Sequence, residues 1–236
     1  MRKLFKILGI FGGMGPEATV DFYRRIIKQT HVDKDQDHIP TLIYSLPQVP
    51  DRSYCIENND DSIVPYLIEG VTRLERAGAS FIAIPCNTVH YFFNRMQEAV
   101  SIPILHIIRE TVKEVRTNYP KAKNIGLLAT SGTIQSKVYE DELTRNGFKI
   151  VIPDEKLEIE KVMKAVHRIK AGTNMKDNAR LLTDAARHII KEGAELIVLG
   201  CTEIPLAFNA ERVDIPVVNA TEVLASAAIH MYHELK

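Results

Sequence analysis

Two stretches of this chain are near-copies of one another, and that duplication limits what it can fold into more than any other feature. Residues 81–90 read FIAIPCNTVH and residues 195–205 read ELIVLGCTEIP. Each is a short apolar run of strand type that delivers one cysteine just past its end, Cys86 in the first and Cys201 in the second. The likeness extends on both sides. Ala77, Gly78 and Ala79 lie as far before Cys86 as Glu192, Gly193 and Ala194 lie before Cys201. SIPILH at 101–106 is answered by DIPVVN at 214–219, and KILGIF at 6–11 is matched by NIGLLA at 124–129. Landmarks repeated in one order mark a duplicated unit. The cysteines are 115 residues apart (201 minus 86), which predicts two like domains facing each other rather than a solenoid.

Between the landmarks, short apolar runs alternate with longer helical patterns. Strands are expected at 4–11, 41–46, 81–84 and 102–107, and again at 124–129, 149–153, 196–199 and 215–220. Helices are expected at 17–30, 60–77, 134–146, 158–170 and 175–192, with others up to Val100, up to Asn118 and at the C-terminus; Pro16 suits a first turn. Uninterrupted apolar strands alternating with helices read as an α/β fold: two pseudo-symmetric domains, each a parallel sheet flanked by helices, with the active site in the cleft between them. The expected boundaries are 1–118 with 216–236, and 119–215, because IPVVNA at 215–220 matches the run ending the first half, so that the last helix returns to the first domain. PQVPDRSYCIENND at 47–60 reads as a long connection, the place where α/β folds keep function.

Charge excludes several classes. Lys and Arg total 30 against 30 for Asp and Glu, so nothing recruits nucleic acid or an anionic membrane. No window approaches the roughly 20 apolar residues of a membrane span, and Lys6 interrupts the faint leader-like start MRKLFKILGIFGG. Cys55, Cys86 and Cys201 are odd in number and lack metal spacing, which argues against disulfides and structural zinc and for reduced thiols in a cytoplasm.

Gly13, Gly15 and Ala18 satisfy a dinucleotide fingerprint with Asp33, Asp35 and Asp37 downstream. Against it, Pro16 removes an amide donor and the matching TSGTI loop lacks the glycine spacing. A helix N-terminus that binds a small anion such as a carboxylate is the weaker reading that survives. A single cysteine ending an apolar strand is ordinarily a small core residue. Here both stand at strand carboxyl ends, where parallel α/β sheets bind ligands, and polar pairs follow them, Asn87-Thr88 and Thr202-Glu203. Face-to-face domains would bring both thiols to one cleft. Cys55 has no echo and reads as structural.

GGMGPEAT at 12–19, PCNT at 85–88 and GCTE at 200–203, in this order, resemble the aspartate/glutamate racemase family and its aspartate racemase branch over essentially the whole chain. The resemblance implies racemisation without pyridoxal phosphate or metal, Cys86 and Cys201 as the acid/base pair, a small amino-acid substrate and a homodimer. Inverting a stereocentre needs a base on one face of the α-carbon and an acid on the other. One thiol is therefore expected as thiolate, held by a helix N-terminus and nearby donors. Asn87, Thr88 and Thr202 are candidate donors to the carboxylate, and Glu203 to receive the ammonium. Arg52 and Lys170 match the cations of the aspartate branch that meet a second carboxylate. Met14, Thr130 and Thr133 are expected pocket walls, and His90 and His106 core or supporting groups. Diacid cis-trans isomerases and decarboxylases of the same cleft, and non-catalytic carboxylate or dinucleotide binders, are the rivals; two retained cysteines disfavour decarboxylation.

Overall fold

The computed structural model describes residues 5–235. In the first half the chain forms β1 (Leu8–Gly12), α1 (Pro16–Gln29), β2 (Thr41–Ser45), α2 (Arg52–Glu57), α3 (Val64–Arg76), β3 (Phe81–Ala83), α4 (Phe93–Glu98) and α5 (Ile107–Asn118). The second half forms β4 (Asn124–Leu128), α6 (Ser131–Gln135), α7 (Val138–Arg145), β5 (Lys149–Val151), α8 (Glu155–Leu157), α9 (Lys164–Lys170), α10 (Met175–Lys191), β6 (Leu196–Leu199), β7 (Val217–Asn219) and α11 (Ala220–Glu234).

Two parallel sheets result, ordered β2-β1-β3 and β5-β4-β6-β7. The central strands β1 and β4 are the two glycine-containing runs matched in the sequence, and β1, β3 and β6 are buried along their full lengths. The strand expected at 102–107 shrinks to one parallel bridge between Ile82 and Ile104. Its equivalent pairing, β6 with β7, runs through three residue pairs from Ile197–Val217 to Leu199–Asn219. On its other edge, toward β1, β3 is also shorter than its counterpart, pairing through three residues where β6 pairs with β4 through four, and here Pro85 gives the reason. It stands where Gly200 stands in the repeat, and the Gly200 N–H donates to Leu128 O at 2.8 Å; a proline has no N–H to extend the ladder, so β3 stops at Ala83.

Other expectations shift at boundaries. The 4–11 run pairs only from Leu8, and residues 1–4, including the start of the leader-like segment, lie outside the described residues. The connection at 47–60 contains α2, started by the Asp51 carboxylate accepting from Tyr54 N–H at 3.0 Å. The helix expected at 134–146 breaks into α6 and α7 at Lys137, whose φ of 56° ends the first. Between α8 and α9 the residues Glu158–Met163 take the wider π-helical winding.

The last helix, α11, packs on both α1 and α5 while β7 belongs to the second sheet. Leu224, Ala225 and Ala228 of α11 share a core with Phe22 and Ile26 of α1, Val112 and Val115 of α5, and Ile125, Leu127 and Val198 of the second sheet. One continuous apolar interior therefore joins the halves and fixes them face to face. The carboxyl ends of β1, β3, β4 and β6 lead directly into the loops that carry Gly13–Gly15, Cys86, Thr130 and Cys201. Among the described residues no helix is long and apolar enough to cross a membrane.

Candidate active site

Cys86 and Cys201 are each 5% exposed. A direct link joins their loops: the Thr202 hydroxyl donates to the Pro85 carbonyl at 3.2 Å. Glu203 makes the second crossing. Its Oε1 accepts from Gly15 N–H at 3.0 Å, at the head of α1, while its Oε2 accepts from the Cys201 thiol at 3.0 Å. The α1 N-terminus thus faces the protein's own Glu203 carboxylate. Gly13 N–H is likewise occupied, donating to Thr19 Oγ1 at 2.9 Å, and Asp33, Asp35 and Asp37 face solvent. The glycine loop spends its amides internally and offers no cradle for a pyrophosphate.

Beside Cys86 lies a closed ring of hydroxyls. Thr88 Oγ1 is 2.9 Å from Thr130 Oγ1 and 2.8 Å from Thr133 Oγ1, and the last two are 2.9 Å apart. Thr88 comes from the first half and the other two from the second, where Thr130 caps α6. Asn87 is also buried, and its Oδ1 accepts from Tyr139 OH at 2.8 Å while its Nδ2 has no partner. A buried unpaired donor costs roughly 1–3 kcal/mol, so a ligand oxygen at that point would be strongly favoured.

Arg52, Lys170 and Glu203 line a cleft of about 340 Å³, together with Gly13 and Gly15. Arg52 Nη1 is held by the carbonyls of Val49 and Pro50 at 3.3 and 3.1 Å, and Nη2 reaches the Met14 carbonyl at 3.5 Å. Its Nε is buried without a partner. The loop thus engages both terminal nitrogens of the guanidinium and leaves Nε as its unpaired donor. Met14 contributes by this carbonyl and by a side chain that is 2% exposed. A larger cleft, about 610 Å³, is bordered by α2 and α6 residues and by Glu155 and Glu158. Neither cysteine lines either cleft; the smaller one holds Arg52, Lys170 and Glu203, whose carboxylate reaches the Cys201 thiol.

Burial pushes the Cys86 thiol up, and Glu203 adds to this, while Arg52, the Val89 N–H and Lys170 pull it back. Burial and then the neighbouring Glu203 push Cys201 well above the usual thiol range, and Lys170 opposes them. Glu203 and Lys170 act on both sulfurs. Both shifts favour the protonated thiols, so a thiolate here needs a positive charge brought close to it. Behind Cys86, His90 Nδ1–H donates to the Cys86 carbonyl at 2.8 Å, and Nε2 accepts from Ile107 N–H at 3.4 Å. A carbonyl only accepts, so the shorter contact assigns the proton to Nδ1, while Nε2 also lies 3.4 Å from the Leu105 carbonyl. His106 caps α5 and stands with its ring centroid 5.0 Å from that of His90. Cys55 is buried in the first-half core, as expected of a structural residue.

The structure thus gathers Cys86, Asn87, Thr88, Thr130, Thr133, Cys201, Thr202 and Glu203 at the facing strand ends, with Arg52 and Lys170 at the cleft; Met14 meets Arg52 through its carbonyl but packs its side chain in the first-half core and does not line the cleft. Tyr139, which orients Asn87, was not foreseen; on α7 it reads as one more apolar-face residue. Among the described residues no group of three His, Cys, Asp or Glu is arranged to hold a metal ion.

The family profile described as Asp/Glu/hydantoin racemase matches residues 11–228. The chain is similar to the broad specificity amino-acid racemase RacX of Bacillus subtilis, with 31% identity over 230 residues covering 96% of this chain and 98% of that protein. Its structure is similar to that of Picrophilus torridus aspartate racemase, with a TM-score of 0.82, 31% identity and coverage of 98% and 96% of the two chains. It shares its fold with the Francisella tularensis glutamate racemase solved with D-glutamate, at a TM-score of 0.68, 14% identity and coverage of 97% and 81%. With the two-sheet architecture and the paired cysteine loops already in place, this chain belongs to the Asp/Glu/hydantoin racemase family.

Proposed function

We propose that this amino-acid racemase acts on aspartate, by proton exchange between Cys86 and Cys201 across one bound α-carbon. The observation that carries the reading is the set of unpaired donors left in an otherwise satisfied site. Asn87 Nδ2 and Arg52 Nε are both buried and unpartnered, and they are the groups an amino acid with two carboxylates would engage. Asn87 and the threonine ring receive the α-carboxylate; Arg52, through its unpaired Nε and with Lys170 lining the same cleft, receives the second.

The proton movements follow from the electrostatics. Glu203, already bonded to the Cys201 thiol, takes that thiol's proton when the substrate ammonium arrives beside them. The arriving cation lowers the cost of a thiolate, and one sulfur then removes the α-proton while the other delivers its own to the opposite face. Negative charge gathers on the α-carboxylate, where the hydroxyls and the Asn87 amide stabilise it. For the other enantiomer the sulfurs exchange roles.

Incubation with L-aspartate, L-glutamate and a panel of neutral amino acids, followed by chiral chromatography, tests the reading. D-Aspartate as the fastest-formed product is expected. Turnover confined to neutral amino acids would remove the case for an acidic substrate, and a folded sample inert toward the whole panel would remove racemisation itself.

A further inference from the structure

Helices α2 and α6 come from different halves and touch more closely than side chains normally allow. A Cβ built on Gly132 of α6 would lie 2.5 Å from Ser53 Cα, 2.7 Å from its Oγ and 2.9 Å from its Cβ. The nearest of these is backbone, which cannot rotate aside. Gly132 N–H also donates to Ser53 Oγ at 3.3 Å. Ser53 directly follows Arg52, and Gly132 lies between Thr130 and Thr133. One glycine therefore sets the separation between the cleft cation and the hydroxyl ring.

We propose that Gly132 is a specificity-determining position: its missing side chain lets α2 seat against α6 and so sets how far the Arg52 guanidinium stands from the α-carboxylate site. This rests on the proposed roles of Arg52 and of the threonine ring. The distance between two carboxylates is a fixed property of a substrate, and a frame holding one receptor for each selects by that distance. Helix α6 is tied to its surroundings by polar contacts, through the Thr88 ring and through Ser131 Oγ, which donates to Glu158 at 2.8 Å. Extra bulk at the contact displaces α2, and Arg52 with it. Misplacement by about 1 Å costs up to roughly a hundredfold where a positioning contact is in use.

The test measures kcat and KM for L-aspartate in the wild type, Gly132→Ala, Arg52→Ala and the double variant. Gly132→Ala is expected to raise the aspartate KM about tenfold or more with kcat held within about twofold. In the Arg52→Ala background the same change should add little, because the group it displaces is gone. An unchanged KM in Gly132→Ala, or an equal penalty with and without Arg52, overturns the proposal. If Arg52→Ala alone leaves the aspartate KM unchanged, the underlying reading of Arg52 fails instead. Should Gly132→Ala not fold, Ser53→Val adds bulk from the other side of the contact and is read in the same way.

Discussion

Cys201 donates to a carboxylate at 3.0 Å, whereas Cys86 lies in the field of Arg52 and accepts from the Val89 N–H, so the sulfurs start from unequal surroundings despite their matched positions. Replacing either by serine removes an acid/base group whose ordinary contribution is roughly a hundredfold or more. Cys86→Ser and Cys201→Ser are each expected to lose racemisation by at least that factor, as followed by polarimetry. Full activity in one variant would exclude that sulfur from proton transfer. Tyr139 acts at one remove. Its hydroxyl holds Asn87 Oδ1, so Tyr139→Phe leaves a buried acceptor unpaired, and a loss of about 1–3 kcal/mol in urea unfolding is expected together with a higher aspartate KM. No change in either would show that Asn87 needs no such partner.

Helix α11 covers the gap between α1 and α5 with a face of small residues and one large one, Leu224, which is fully buried. Leu224→Ala is expected to cost about 2–5 kcal/mol by denaturant unfolding, because the rigid helices on either side cannot close on the cavity. A cost below about 1 kcal/mol would mean that the site collapses freely. This helix, like both sheets, was legible in the sequence because its partner run IPVVNA repeats SIPILH and because buried parallel strands announce themselves as unbroken apolar stretches. Cys86 and Cys201 were legible for the same reason, since duplication converts two unremarkable core residues into a pair. What escaped was local. The short α2 hides behind two prolines, with Asp51 as its only start signal. The break at Lys137 depends on one backbone angle. The tight passage of Gly132 past Ser53 has no pattern along the chain at all, because it is a distance between segments 79 residues apart.

Taken whole, the molecule carries a pH dependence set beside its active site. Burial lowers the His90 pKa to about 4, and burial with the nearby His90 lowers that of His106 to about 3, both from an ordinary 6.5. A histidine depressed in the native state binds fewer protons there than in the unfolded chain, so stability is complete above about pH 6.5 and declines as the pH falls toward 4 and then 3. For His90 the eventual loss is on the order of 3 kcal/mol. Urea unfolding at a series of pH values is expected to show this decline, and a smaller one in His90→Asn, whose amide can still reach the Cys86 carbonyl; identical profiles would contradict it. The proposed exchange, in which the two halves present one carbon to two sulfurs, is tested most directly by following L-aspartate in D2O by NMR and mass spectrometry from the first turnovers. Two opposed thiols predict D-aspartate that carries solvent deuterium at its α-carbon from the outset while the remaining L-aspartate keeps its protium. D-Aspartate that retains the original proton, or L-aspartate that exchanges without inversion, would contradict it.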